Sequence, residues 1–434
     1  MSQSPSPAEA IHDADRSRQW LAGQAHGPGV DRDRLLEVGA AMAAVTAAAA
    51  EREPVAVASA PVGVDPGAPI VKPLPADLLR PLDTNAEMRW PSMAGQGYVV
   101  PIDRFFVRNH TVTPHLDAAT WRLRLFGDGL RGAPTRDNPV EFDLDELRRL
   151  PAEEHAALLE CAGNGRRYFA EQQDEPTPGV AWGLGSVGVA RWRGVRLGTV
   201  LRLAGLRDEA VDVMPEGLDP DYVSGGVNLG RVRRPMPVAK ALDDVLLAYE
   251  MNGEPLPPDH GFPVRVVVPG WVGISSIKWV GAIEVSTTPL FSPWNTQFYR
   301  MFGPGHPADG TVLTAQPVRS AFELPWDARV PAGEEMLLTG RSWSGNGPIA
   351  HVEVDTGDGW RSADLVAADR GGAWQRWTVR WCPPAAGRHV LRARATDCTG
   401  AVQPDRAAPN DLAYLFDAVV AHPVTACWPQ LRWC

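Results

Sequence analysis

The sequence predicts an α+β domain followed by an all-β immunoglobulin-like sandwich, and three observations carry that reading. From Asn85 to about residue 310, short β-like runs alternate with turns and small helical pieces. Beyond Leu313 the helical pieces stop, and strands recur between Gly/Asp/Pro turns. The 41 prolines and 42 glycines favour many turns over long helices.

Taken in order, residues 1–85 are rich in Ala, Pro and Asp and read as a partly disordered extension that orders only where it packs on the body. Within it, residues 35–50 read as a short alanine-rich helix. Asp33 and Glu37 interrupt what would otherwise resemble a secretion signal. The next unit, residues 86–312, contains Trp121 to Leu125, whose strict apolar/basic alternation marks a half-buried strand. Leu144 to Leu150 and Leu197 to Ala204 read as helices. Val245 to Tyr249 runs into an Asn252-Gly253 turn, and Val264 to Val268 stops at Pro269-Gly270. In residues 313–434, strands are expected at Met336 to Leu338, His351 to Val354, Trp374 to Trp381 and Val390 to Ala395. A Thr356-Gly357-Asp358-Gly359 turn separates two of them. Leu391, Ala393 and Ala395 alternate with Arg392 and Arg394, as in a strand with one wet face.

Composition removes several function classes. A net charge of −10 without a lysine-rich block argues against nucleic-acid binding. No run of about 18 apolar residues exists, so no membrane span is expected. The expected compartment is the cytoplasm, with export left open. The 5 cysteines in 434 residues do not make a disulfide scaffold. Setting Cys161 aside, Cys382, Cys398, Cys427 and Cys434 are read as reduced thiols, and no spacing fits a zinc site or c-type haem attachment.

The most informative stretch is Leu159-Glu160-Cys161-Ala162-Gly163-Asn164-Gly165-Arg166. An apolar strand breaks there into a Gly-Asn-Gly turn that holds a cysteine beside an arginine. Exposed amides and a fixed cation suit a thiolate that acts as nucleophile or soft-metal ligand. Alone, such a cysteine is more often inert core. Three further segments strengthen the reading: Phe105-Phe106-Val107-Arg108-Asn109-His110, Asp259-His260-Gly261-Phe262-Pro263-Val264-Arg265, and Trp271 through Trp279. Arg108, His110, His260, Arg265 and Lys278 together could hold a phosphate-bearing cofactor.

These segments resemble the sulfite oxidase family of molybdenum enzymes from about Asn85 to Val424. The resemblance rests on Phe106–His110, Cys161–Arg166, Ala190–Val195, Glu216–Asp219, Leu246–Gly253, Asp259–Arg265, Val267–Gly270 and Ile277–Trp279, in the family's order. It implies molybdenum–molybdopterin in the first domain and a sandwich domain that pairs two subunits as a homodimer. Cys161 would bind the metal. Phe106, Val107, Arg108, Asn109, His110, Asp219, His260, Arg265, Ser276, Ile277 and Lys278 would hold the pterin. Arg108, Arg166 and Tyr299 would fix the substrate anion, and Trp182 would wall the pocket. The activity implied is oxidation of sulfite, or a similar small oxyanion, to its oxidised product by oxygen-atom transfer. Phe298 stands where the vertebrate pattern has an acid, and Tyr414 where it has a further arginine. No His-Pro-Gly-Gly signature occurs, so no haem is expected. Electrons would then pass to an external acceptor, a cytochrome, another redox protein or oxygen. Two alternatives are a molybdopterin-dependent reductase of a sulfoxide or other oxo-substrate, and a non-enzymatic adhesion scaffold.

Overall fold

The computed structural model describes residues 69–175, 177–366 and 373–428. The alanine-rich helix expected within residues 35–50, and Cys434, lie outside the described residues. Ordered packing begins ahead of residue 85. Ile70 and Leu79 are buried, and the strands Leu79–Leu82 and Asn85–Met88 pair as a tight antiparallel hairpin. The backbone N–H groups of Val71 and Lys72 donate to the Asp259 carboxylate at 2.9 and 2.7 Å. A charged acceptor, not hydrophobic patterning, therefore ties this segment to the body.

Two sheets dominate the residues before 313. In one, Ala152–Glu160, Val187–Arg196, Leu246–Met251 and Glu254–Pro255 lie antiparallel in that order, and Arg265–Val267 also pairs with Leu246–Met251. The second runs Met236–Pro237, Asp212–Gly217, Val280–Ser286, Leu123–Phe126, Val140–Phe142. Its pair Val280–Ser286 and Leu123–Phe126 is parallel. Val187, Val189, Ala190, Trp192 and Val195 are fully buried, which is why so apolar a run forms a central strand. Helices are few and short. Leu144–Arg149 starts in a capping box, where the Asp143 carboxylate accepts from Glu146 N at 2.7 Å and Glu146 returns the bond. The result is a mixed fold of many strands and little helix.

After residue 318 two further sheets share a core of Phe322, Leu338, Val352, Val354, Trp377, Leu391, Ala393, Ala395 and Val424. One holds Arg319–Phe322, Met336–Trp343, Gln375–Trp381 and Asp364–Leu365. The other holds Ala328–Pro331, His422–Cys427, Gly387–Asp397, Ile349–Asp355 and Trp360–Ser362. Leu391, Ala393 and Ala395 point inward while Arg392 is exposed, as the alternation requires. The Thr356–Gly359 turn forms with both glycines at positive φ, and Asp355 Oδ1 accepts from Gly357 N and Gly359 N.

The two parts share a core. Trp90 lies 5.9 Å from Trp343 and 6.2 Å from Trp374, and donates its indole N–H to Phe322 O. A buried ion pair, Arg319–Glu160 at 2.9 Å, crosses the same junction. Among the described residues, no helix is long and apolar enough to cross a membrane. Cys161, Cys382, Cys398 and Cys427 are free thiols.

Candidate active site

Cys161 is the first residue after the strand Ala152–Glu160, and its N–H donates to Ser186 O at 2.9 Å. The chain then folds back through Asn164 N to Cys161 O and Arg166 N to Gly163 O, both 2.9 Å. Gly165 takes φ +78°, a region that favours glycine. Gly163 N donates to the Cys161 sulfur at 3.4 Å. A Cβ on Gly163 would sit 3.0 Å from the Arg166 guanidinium, so glycine there lets the arginine lie along the turn. Glu160 and Asn164 brace both ends. Asn164 Nδ2 donates to Glu160 Oε1 at 2.9 Å, and Trp343 Nε1 donates to Glu160 Oε2 at 3.1 Å. Arg319 also donates to Asn164 O at 2.8 Å. Residues from beyond position 313 therefore set where the thiol lies.

Two hollows open on Cys161 and share Arg108, His110, Cys161 and Tyr299 in their walls. Arg108 donates to Tyr299 Oη at 3.4 Å and to Asn109 O. His110 Nε2 receives the indole N–H of Trp294 at 3.2 Å, which identifies that nitrogen as unprotonated. Tyr299 Oη lies 3.1 Å from the same nitrogen and so donates to it. Burial, then Arg108 and Lys278, hold His110 well below the usual imidazole range. Burial pushes the Tyr299 phenol well above its ordinary value, against Arg108. The pair thus rests as neutral imidazole and intact hydroxyl. Tyr299 sits at φ +54°, a left-handed conformation that costs a non-glycine residue about 1–2 kcal/mol. Leu313 N donates to Tyr299 O and helps hold it there.

The first hollow, about 740 Å³ counting its mouth, is a buried cationic cradle. Lys278 Nζ donates to Asn109 Oδ1 and, at 2.8 Å, to Asp259 O. Arg265 donates to His260 O and Ser276 O, both at 3.0 Å. The Ser276 hydroxyl accepts from Val268 N at 3.0 Å. Burial lowers Lys278 well below its ordinary value and brings Arg265 down to about 9. Burial also raises Asp219 to about 7, while its own backbone and Lys278 pull the other way. Among the described residues, His260 Nε2 is buried with no hydrogen-bond partner. Cations depressed by desolvation, with an orphaned polar atom among them, are what an anionic ligand would relieve.

Of the residues predicted for the cofactor, Phe106, Arg108, Asn109, His110, Asp219, His260, Arg265, Ser276, Ile277 and Lys278 all line this hollow. Val107 does not. Its N–H and C=O both pair with Ala86, and its side chain is buried in the core. Trp182 and Arg166 line the second hollow with Tyr222, Phe298, Leu412 and Tyr414. Sequence reasoning missed Asp259, Trp294, Tyr222, Glu160 and Arg319. Asp259 lies inside a recognised motif, yet its work is structural: it accepts from Val71, Lys72 and, at 2.6 Å, the Thr113 hydroxyl.

Comparison with known proteins places this geometry. Residues 110–294 match the family described as oxidoreductase molybdopterin binding domain. The chain is 36% identical over 338 residues to the mitochondrial sulfite oxidase of Mus musculus, covering 74% of this chain and 60% of that protein. It is 37% identical over 339 residues to the sulfite oxidase of Gallus gallus, covering 73% and 70%. The crystal structure of the sulfane dehydrogenase SoxCD from Paracoccus pantotrophus aligns with a TM-score of 0.66 at 26% identity, over 85% of this chain and 92% of that one. The chain belongs to the sulfite oxidase family of molybdopterin-binding oxidoreductases. It spans about 60% of the length of the mouse relative.

Proposed function

We propose that this chain is a molybdopterin-dependent oxidoreductase that oxidises a sulfur oxyanion, sulfite in the first instance, by oxygen-atom transfer. One observation carries the reading. A thiol, two guanidiniums and a buried phenol line one hollow, and that hollow shares a wall with a cationic cradle. The cradle fits the cofactor's chemistry. Lys278 and Arg265 supply cations for its phosphate, and His260 Nε2 and Asp219 offer hydrogen bonds to its ring system. Near its raised pKa Asp219 can donate as well as accept. Cys161 would be the thiolate ligand of the molybdenum. When bound, the cofactor supplies a two-electron centre that exchanges oxygen with water.

The chain's own residues then do three things. Arg108 and Arg166 dock the anion through charge-assisted bonds. The Tyr299 hydroxyl turns its hydrogen bond from His110 Nε2 toward a substrate oxygen, and neutral His110 accepts that bond again when the product leaves. Trp182 and Tyr414, both buried, keep water away. A preorganised donor in such a site contributes about 2–4 kcal/mol to the barrier. Two electrons leave to an external acceptor.

We further read residues 86–312 as the catalytic domain and 313–434 as an immunoglobulin-type sandwich that pairs two subunits. Elemental analysis of matured protein, with sulfite-dependent reduction of ferricyanide, tests the function. About one molybdenum per chain and sulfite-dependent turnover are expected; metal-free, inert protein overturns the assignment.

A further inference from the structure

We infer that the substrate of the hollow in front of Cys161 is an organic sulfinate: a monoanion with two oxygens and a lone pair on sulfur, plus one apolar substituent. The inference rests on the oxygen-atom-transfer reading above and narrows it to a substrate class. The hollow has a cavity volume of about 130 Å³, more room than one small oxyanion needs. Among the described residues its lining holds two cationic side chains, Arg108 and Arg166, and no carboxylate. Arg108 donates to Tyr299 Oη at 3.4 Å, and Arg166 donates to Val180 O at 3.3 Å. Val180, Trp182, Phe298 and Leu412 add apolar surface to the same lining, and Tyr222 adds a further ring. The hollow therefore sets two guanidiniums for oxygens beside apolar side chains that can take a substituent.

Tyr414 is the residue that makes the hollow two-sided. Its ring stacks on Tyr299 at 5.2 Å and 16°, and the Arg166 guanidinium lies 5.3 Å from the ring centre. Its hydroxyl accepts from Tyr299 N at 3.3 Å. Asn410 clamps the Tyr414 backbone from both sides, Oδ1 accepting from N and Nδ2 donating to O, each at 2.9 Å. The neighbours Ala413 and Leu415 sit at φ +48° and +54°, so the fold sustains strain on both sides to hold this aromatic in place. An aromatic face beside the phenol of Tyr299 attracts a hydrocarbon substituent and cannot neutralise a second negative charge.

The reaction balances as RSO2⁻ + H2O → RSO3⁻ + 2H⁺ + 2e⁻. The sulfur lone pair forms the new S–O bond, no C–S bond breaks, and the added oxygen comes from water. The protons leave to solvent, and the electrons go singly to an external one-electron acceptor.

The test uses the molybdenum-loaded full-length protein with ferricyanide as acceptor and benzenesulfinate, methanesulfinate or sulfite as donor. Calorimetry measures binding of benzenesulfonate, the product of the first. The expected kcat/KM for benzenesulfinate exceeds that for sulfite by about tenfold, with methanesulfinate between them. Benzenesulfonate binds and competes. Tyr414→Arg and, separately, Phe298→Ser each cut the benzenesulfinate-to-sulfite ratio by about tenfold. Sulfite turned over as well as or better than benzenesulfinate overturns the inference while leaving the oxygen-transfer reading intact. Absence of benzenesulfonate binding does the same. Turnover of neither donor overturns that reading, and this inference with it.

Discussion

The two hollows that meet at Cys161 recognise anions by opposite means. In the cradle, Lys278 and Arg265 are buried, depressed in pKa, and tied to carbonyls of the loops that carry them. Its selectivity is electrostatic. Among the described residues, the second hollow has only Arg108 and Arg166 for charge, beside aromatic and aliphatic side chains. Its selectivity is shape. The difference teaches that a permanently held cofactor is fixed by charges that would be costly to leave unpaired. A passing substrate meets fewer charges, so it can leave again.

The largest expected effect comes from the atom both hollows share. Cys161→Ser should abolish turnover while the unfolding midpoint stays close to the parent's, because a buried hydroxyl keeps the bond from Gly163 N. Sulfite-dependent ferricyanide reduction surviving in that variant would remove Cys161 from the chemistry. Next in size is Tyr299→Phe. It deletes the donor to His110 and to the substrate but leaves the stacking on Tyr414 in place. The expected loss is about 10²-fold in kcat, with molybdenum content unchanged. Unaltered kinetics would confine Tyr299 to a packing role.

Lys278→Met sharpens the comparison from the cradle side. The stem still fills its space, but the charge beside Asn109 and Asp259 is gone. Molybdenum per chain, measured on purified protein, should fall several-fold, whereas the molecules that do retain metal should keep the parent's KM. A raised KM at full metal content would show that the two hollows are not separate in their duties.

How much of this was legible in the sequence follows from how local each feature is. The strand leading to Cys161, the helix Leu144–Arg149 and the wet-faced strand carrying Leu391 to Ala395 are set by periodicity and caps within a few residues. The cradle's members were legible as motif positions, since His260 and Lys278 lie on short connections and Arg265 begins a strand within recognisable patterns. Val107 alone of that motif does not line the hollow, because its backbone is bridged to Ala86 and its side chain packs into the core. Nothing local announced the bracing of Cys161. Glu160 and Arg319 are 159 positions apart by their numbers and meet only because the two parts of the chain dock. Nor did local pattern show that Val71 and Lys72 order the segment before residue 85, because their partner Asp259 is equally remote.

The pH dependence of stability tests whether the cradle's buried charges behave as proposed. Asp219, raised from 3.8 to about 7 by burial, keeps its proton in the folded protein over a window where the unfolded chain has lost it. Its contribution is therefore fully present below about pH 4 and is lost as pH rises through about 7, at about 1.4 kcal/mol per unit between those limits. His110 and His260 act in the opposite sense, because their folded values lie below the imidazole norm. They weaken the fold as pH drops below about 6.5. A bare stability curve would mix the two. Subtracting the curve of Asp219→Asn from that of the parent, both by urea unfolding of cofactor-free protein, cancels the histidines and isolates the carboxyl. That difference should fall steadily from pH 4 to 7, becoming increasingly negative as the parent loses stability. A flat difference would mean that Asp219 is already ionised in the folded cradle, so it would face the cofactor as an acceptor alone.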